Sequence, residues 1–201
     1  MRRRALVAAA AVVGTGLLGS SFATTPGSAR FYRTTFGLAA TWIAGGLAAG
    51  PVPRGRQSVV TPVAIGAGAF GAFYACALVA RHVPVLNRAI TGVLRYEDQG
   101  SSPLVLLTTL ANGAAEEVFF RGALYAAGGR SPVLFSTGVY ALATTATRNP
   151  ALVLASIAMG TLFGLQRQAA GGIQAPVLTH LTWSALMLRY LPPLFGPKPV
   201  R

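Results

Sequence analysis

Residues 5–25, 34–53 and 58–80 contain no charged side chain. Each is close to the length, about 20 residues, that carries an α-helix across the hydrocarbon core of a bilayer. A chain inside lipid must pair every backbone polar group internally, so such runs fold as helices. Further apolar segments follow. Residues 103–129 carry Glu116, Glu117 and Arg121 within an otherwise apolar run. Residues 131–147 and 150–166 are shorter, and 173–195 holds His180 inside and Arg189 near its end. The expected fold class is all-α: a polytopic transmembrane helical bundle of about seven spans.

Composition agrees. Of the 201 residues, 10% are charged and 53% hydrophobic, with a mean hydropathy of +0.55. Soluble chains are about a quarter charged, so this chain has too few charges to cover a soluble enzyme, and its hydrophobicity excludes disorder. Four acids (Glu97, Asp98, Glu116, Glu117) face 17 basic residues, for a net charge of +13. Beyond Arg2–Arg4 the arginines are scattered between apolar runs, the pattern of membrane-flanking charge. Membrane lipid is therefore an expected partner and nucleic acid is not. A single cysteine, Cys76, excludes an internal disulfide.

The chain reads as one integral membrane domain over 1–201, with no internal repeat. Residues 1–102 supply N-terminal spans and an interfacial segment, and 103–190 a chemically distinct core. In 81–101, Arg81, Arg88, Arg95, Glu97 and Asp98 alternate with Val83, Val85, Leu86, Ile90, Val93 and Leu94. That suits an amphipathic helix at the interface, or a polar loop with some order. Pro51-Val52-Pro53, Gly128-Gly129, Ser131-Pro132, Asn149-Pro150 and Gly171-Gly172 mark the breaks. Gly46/Gly50 and Gly160/Gly164 have the i,i+4 spacing of close helix packing. Met1-Arg2-Arg3-Arg4, the apolar run and Gly27-Ser28-Ala29 have the make-up of a secretory signal. Six hydrophobic segments follow, so a retained first span is expected. With the N-terminus inside, Arg2, Arg3, Arg4, Arg54, Arg56, Arg130 and Arg167 fall on the inner side. Arg30, Arg33, Arg81, Arg88, Arg95, Arg148, Lys198 and Arg201 fall on the outer side. That balance selects neither orientation.

The informative residues are the ionisable ones inside apolar helices. An ionised side chain at a helix centre costs roughly 2.5–3.5 kcal/mol on insertion scales, so Glu116, Glu117 and Arg121 must face a polar cavity or each other. Glu117 and Arg121 are at i,i+4 with the acid N-terminal, the favourable order for a pair. Glu116 lies about 100° away round the helix. One carboxylate is then held by the guanidinium and the other left free, as a general base for water must be. A buried ion cluster that only fixes helix packing is the competing reading. His180 is the second anomaly, with Ser184 one turn further on the same face. An imidazole there can relay protons or stabilise an oxyanion, or simply pack.

Glu116-Glu117-Val118-Phe119-Phe120-Arg121 resembles the EExxxR motif of the CAAX-protease and bacteriocin-processing (CPBP) family. These are intramembrane glutamic endopeptidases that include the type II CAAX prenyl endopeptidases. Gly160-Thr161-Leu162-Phe163-Gly164-Leu165, a Gly-Gly turn and Ala175-Pro176-Val177-Leu178-Thr179-His180 resemble the family's third motif, HxxxN, with its lead-in. The likeness covers about residues 103–190. It departs at two positions. In the second motif, FxxxH, Tyr140 stands for phenylalanine and Thr144 for histidine. In the third, Ser184 stands for asparagine.

The resemblance implies that Glu116 activates the attacking water and that Glu117 and Arg121 support it. It also implies that His180 and its i+4 partner Ser184 stabilise the oxyanion or position the water. Thr144 can donate a hydrogen bond but cannot take a proton near neutral pH as imidazole can. Losing one oxyanion donor typically costs about 10²–10³ in rate, so a catalytically impaired pseudoprotease is the alternative function. A small proton or ion transporter using the Glu/Arg/His set ranks third, since no two-fold repeat accompanies it. No cofactor and no metal are expected: adjacent carboxylates on one helix diverge, and Arg121 competes for them with any zinc. The expected substrate is a membrane-associated or lipidated peptide or protein, and the expected location is the cell membrane, with multiple passes.

Overall fold

The computed structural model describes residues 2–55, 58–100 and 102–196. Arg56, Lys198 and Arg201, which entered the topology argument, lie outside the described residues, as does Ser101 at the end of the 81–101 segment. No strand occurs among the described residues, and the fold is all-α.

Helices α1 (Arg2–Phe22), α2 (Ala29–Ala48) and α3 (Val60–Ala80) come from the first three apolar runs. Helix α4 (Pro84–Asp98) follows. Helix α5 (Ser102–Glu116) runs without a break into a π-helical stretch, Glu117–Leu124, and a last turn, α6 (Tyr125–Ala127). Helix α7 (Pro132–Thr144) ends in a 3₁₀ turn, Thr145–Thr147. Helices α8 (Pro150–Ala170), α9 (Gln174–Tyr190) and the short α10 (Pro192–Phe195) complete the chain. Helices α1, α3 and α8 are each long and apolar enough to cross a membrane. Large apolar side chains such as Val12, Val60, Leu134 and Leu142 are exposed on the outside of the bundle, a surface suited to lipid rather than water.

Local chemistry sets the ends. Ser28 Oγ accepts from the Phe31 amide at 3.1 Å and caps α2. That helix therefore begins ahead of residue 34, with Arg30 and Arg33 in its first turns, and stops at Ala48 rather than 53. Helix α1 likewise reaches back to Arg2. Charges mark the edge of an apolar run, but a long arginine stem continues the helix beyond that edge. Asn149 Oδ1 accepts from the Ala151 and Leu152 amides and Pro150 opens α8. Gly171, at φ +68, closes it.

The 81–101 segment resolves as a helix. Its apolar face, Ile90 and Leu94, packs on Tyr74, Ala77, Met187, Leu191, Leu194 and Phe195, while Arg88 and Arg95 stay exposed. Helix α4 thus covers one end of the bundle. The single hydrogen of the Tyr96 hydroxyl is shared between the Phe22 and Thr24 carbonyl oxygens, 2.8 and 3.0 Å away, and ties α4 to the end of α1. Asn149 Nδ2 donates to the Ala89 carbonyl at 2.7 Å and brings in the α7–α8 turn. At the other end, the Ile173 and Gln174 amides donate to the Pro53 and Arg54 carbonyls and join the α8–α9 turn to the α2–α3 connection.

The core around the π-helical stretch is aromatic. Trp42 stacks on Phe119 at 4.6 Å and meets Phe120 edge-on at 5.1 Å. A Cβ on Gly14 would collide with the Trp42 ring, and one on Gly45 would collide with Ala10 and crowd Phe119. These glycines let α1 and α2 close on the helix that carries the charged motif.

Candidate active site

The Glu116-to-Arg121 motif straddles the junction where α5 becomes π-helical. A π-turn widens the backbone spiral and is frequent at functional sites. Glu116, the last residue of α5, and Glu117, the first of the π-helical stretch, enter different surroundings.

Glu117 is fully buried and faces inward. Its Oε2 lies 3.4 Å from Arg121 Nε, and its Oε1 lies 3.4 Å from Arg121 Nη1 and 2.9 Å from His180 Nδ1. A carboxylate can only accept, so the imidazole hydrogen sits on Nδ1 and Nε2 is left for other work. Arg121, also fully buried, lies against three aromatic rings: Tyr140 at 4.8 Å, Phe163 at 5.2 Å and Phe120 at 5.9 Å. Ring faces attract a desolvated guanidinium, so the cation is held by more than its one acid. Gly160 makes room for it: a Cβ there would stand 3.2 Å from Arg121 Nη2 and 3.3 Å from Tyr140 Cδ1. From α8, Arg167 Nε donates to the Arg121 carbonyl at 3.1 Å and its guanidinium covers the Tyr125 ring.

Glu116 is turned away from this pair. Its Oε2 accepts the Tyr140 hydroxyl at 2.7 Å, and no ion pair joins it to Arg121 among the described residues. Glu117 is thus the acid that faces Arg121, and Glu116 the one that meets Tyr140 instead.

Glu116 lines a cavity of about 280 Å³ together with Thr144, His180 and Ser184. The cavity reaches Leu94, Tyr96 and Glu97 of α4, at the bundle end that α4 covers. Burial and the neighbouring Asp98 carboxyl raise the pKa of Glu97 above the ordinary carboxylate value. His180 stacks on Phe163 at 4.7 Å, and a Cβ on Gly113 would come within 3.4 Å of its Nε2. The bare backbone at Gly113 therefore leaves that nitrogen room. Thr144 differs from expectation: its hydroxyl donates to the Tyr140 carbonyl at 2.8 Å. Its one hydrogen is committed to its own helix, and only oxygen lone pairs remain for the cavity.

Of the six residues singled out from the sequence, Glu117, Arg121 and His180 form one buried cluster, while Glu116, Thr144, His180 and Ser184 share the cavity. His180 belongs to both sets. Sequence reasoning missed Tyr140 as a partner of Glu116 and Phe163 as the platform for His180. A phenol inside an apolar helix was the available signal, because a buried tyrosine hydroxyl usually finds a partner.

Residues 98–186 match the family model described as type II CAAX prenyl endopeptidase Rce1-like. This segment is Rce1-like. It contains the charged cluster and the cavity-lining residues Glu116, Thr144, His180 and Ser184. The Rce1-like segment opens at the last residue of α4 and ends within α9, so α1–α3 and the rest of α4 pack round it. No curated protein and no solved structure matches the chain. Among the described residues, no group of three or more His, Cys, Asp or Glu side chains is placed to hold a metal ion.

Proposed function

We propose that the protein is an intramembrane endopeptidase in which Glu116 activates water to hydrolyse a peptide bond of a membrane-associated or lipidated substrate. The observation that carries this is the position of Glu116. It lines the cavity with Thr144, His180 and Ser184, while its neighbour Glu117 is the acid engaged by Arg121.

In this reading Glu116 takes a proton from water as the water oxygen attacks the carbonyl carbon. The carbonyl π electrons move to oxygen and form the oxyanion. As the intermediate collapses, the C–N bond breaks and Glu116 passes the same proton to the leaving nitrogen. Ser184 offers a hydroxyl hydrogen to the oxyanion. His180 is oriented by Glu117, which holds Nδ1–H and aims Nε2 away from the ion pair. As a neutral ring, its Nε2 accepts from the attacking water. The protein acts from within the cell membrane, with seven helices, α1, α2, α3, α5–α6, α7, α8 and α9, crossing it.

The test is cleavage of a lipidated or membrane-proximal peptide by the purified protein in detergent. Wild type cleaves and Glu116→Ala does not. Cleavage by Glu116→Ala at the wild-type rate overturns Glu116 as the base.

One observation favours a second reading, a pseudoprotease that binds such partners without cutting them. The Thr144 hydrogen is committed to the Tyr140 carbonyl, so the position has no free proton donor. In that case cleavage emerges only in the Thr144→His/Ser184→Asn double variant. Cleavage by the wild type removes this reading.

A further inference from the structure

The hydrogen bond from Tyr140 to Glu116 has no counterpart in the roles assigned above. The phenol oxygen lies 2.7 Å from Glu116 Oε2, a short distance typical of a hydroxyl donating to a carboxylate. The ring is fixed on several sides. It meets Phe120 at 4.7 Å, takes the Arg121 guanidinium over its face at 4.8 Å, and lies close enough to Gly160 that a Cβ there would crowd it. A ring held in this way gives its hydroxyl one direction. Tyr140 and Glu116 both line the cavity.

The geometry points to Tyr140 as the positioning residue for the Glu116 carboxylate: its hydroxyl anchors Oε2 and leaves Oε1 to meet the water. This rests on the reading of Glu116 as the base and adds to it. A free glutamate side chain rotates about three bonds, and a base must be held within hydrogen-bond reach of the proton it takes. Nothing else among the described residues hydrogen-bonds either Glu116 oxygen. Tyr140 also joins the two charge systems, since the ring that anchors Glu116 is the ring that Arg121 covers. The clasp on Glu117 and the orientation of Glu116 are therefore mechanically linked through one aromatic side chain.

Tyr140→Phe removes the hydroxyl and keeps the ring, so the contacts with Phe120 and Arg121 survive and the fold is retained. A misplaced catalytic group costs on the order of 10²-fold in rate. The expected result with a membrane-proximal peptide is a loss of about that size in kcat, with KM unchanged. A wild-type kcat in Tyr140→Phe, alongside an inactive Glu116→Gln, overturns the proposal and leaves Glu116 as the base. Wild-type cleavage by Glu116→Gln overturns the reading of Glu116 itself. A second measurement does not depend on turnover. In ¹³C-glutamate-labelled protein, the Glu116 carboxyl resonance is assigned by its loss in Glu116→Gln. Tyr140→Phe is expected to shift that resonance, and an unmoved resonance overturns the proposal.

Discussion

His180 Nδ1 lies 2.9 Å from Glu117 Oε1 and joins α9 to the π-helical stretch across 63 residues of sequence. The same carboxylate faces Arg121, so Glu117 is the hub of the buried cluster while Glu116 stands outside it. The two adjacent acids should therefore fail in different ways. Removing one partner of a buried ion pair typically costs about 3–5 kcal/mol, because a charge is left uncompensated. Glu117→Ala is expected to lower unfolding stability by an amount of that order, and Glu116→Ala by much less. Thermal unfolding in detergent, with cleavage assayed on the same samples, checks the contrast. Equal destabilisation by both variants contradicts it.

The glycines of the bundle make a graded set. A methyl at Gly160 would stand 3.0 to 3.3 Å from Thr137, Arg121 and Tyr140, whereas one at Gly71 would meet nothing within 4 Å. Overpacking a tight site costs typically about 1–3 kcal/mol. Replacing an open helical glycine by alanine gains up to about 1 kcal/mol. Gly160→Ala should therefore destabilise the protein and reduce cleavage, and Gly71→Ala should do neither. Melting temperatures of the two variants decide.

One hydroxyl ties helix α4 to the end of α1. Tyr96→Phe removes the hydrogen shared between the Phe22 and Thr24 carbonyls but keeps the ring contacts with Phe22 and Phe31. A typical hydrogen bond contributes about 0.5–1.5 kcal/mol net. The expected outcome is faster amide hydrogen exchange confined to residues 84–98, with α1 and α5 unchanged. Faster exchange throughout the bundle would assign Tyr96 to the global core instead.

Cleavage is expected to withstand a strong chelator. The acid beside Glu116 is engaged by Arg121 and His180, so a metal would have to displace both to gain the ligands it needs. Activity measured before and after dialysis against the chelator tests this. Loss on dialysis and recovery on adding zinc would reverse the assignment.

Much of the bundle was legible because bilayer length and charge-free composition leave a chain little choice but helix. Each of the seven apolar segments becomes a helix, and the turn residues Pro51, Gly128, Asn149 and Gly171 fall between helices as expected. The ends were less legible. Arg30 and Arg33 lie inside α2 because Ser28 caps it, and a cap is a local bond that hydropathy does not register. The pairing of Glu117 with Arg121 could be read from helical spacing, since it joins neighbours on one helix.

The contacts between helices could not be read that way. Nothing in the spacing of residues puts Tyr140 on Glu116, His180 on Glu117 or Phe163 against the imidazole, because each depends on how α5, α7, α8 and α9 pack. The sequence by itself determined that this is a membrane helix bundle with two acids and an arginine inside an apolar helix. Tertiary structure decided that His180 joins Glu117, and that Glu116 meets Tyr140 and faces the cavity. Hydropathy and periodicity act along a single helix, whereas the surroundings of a side chain are set by the neighbours that other helices bring to it.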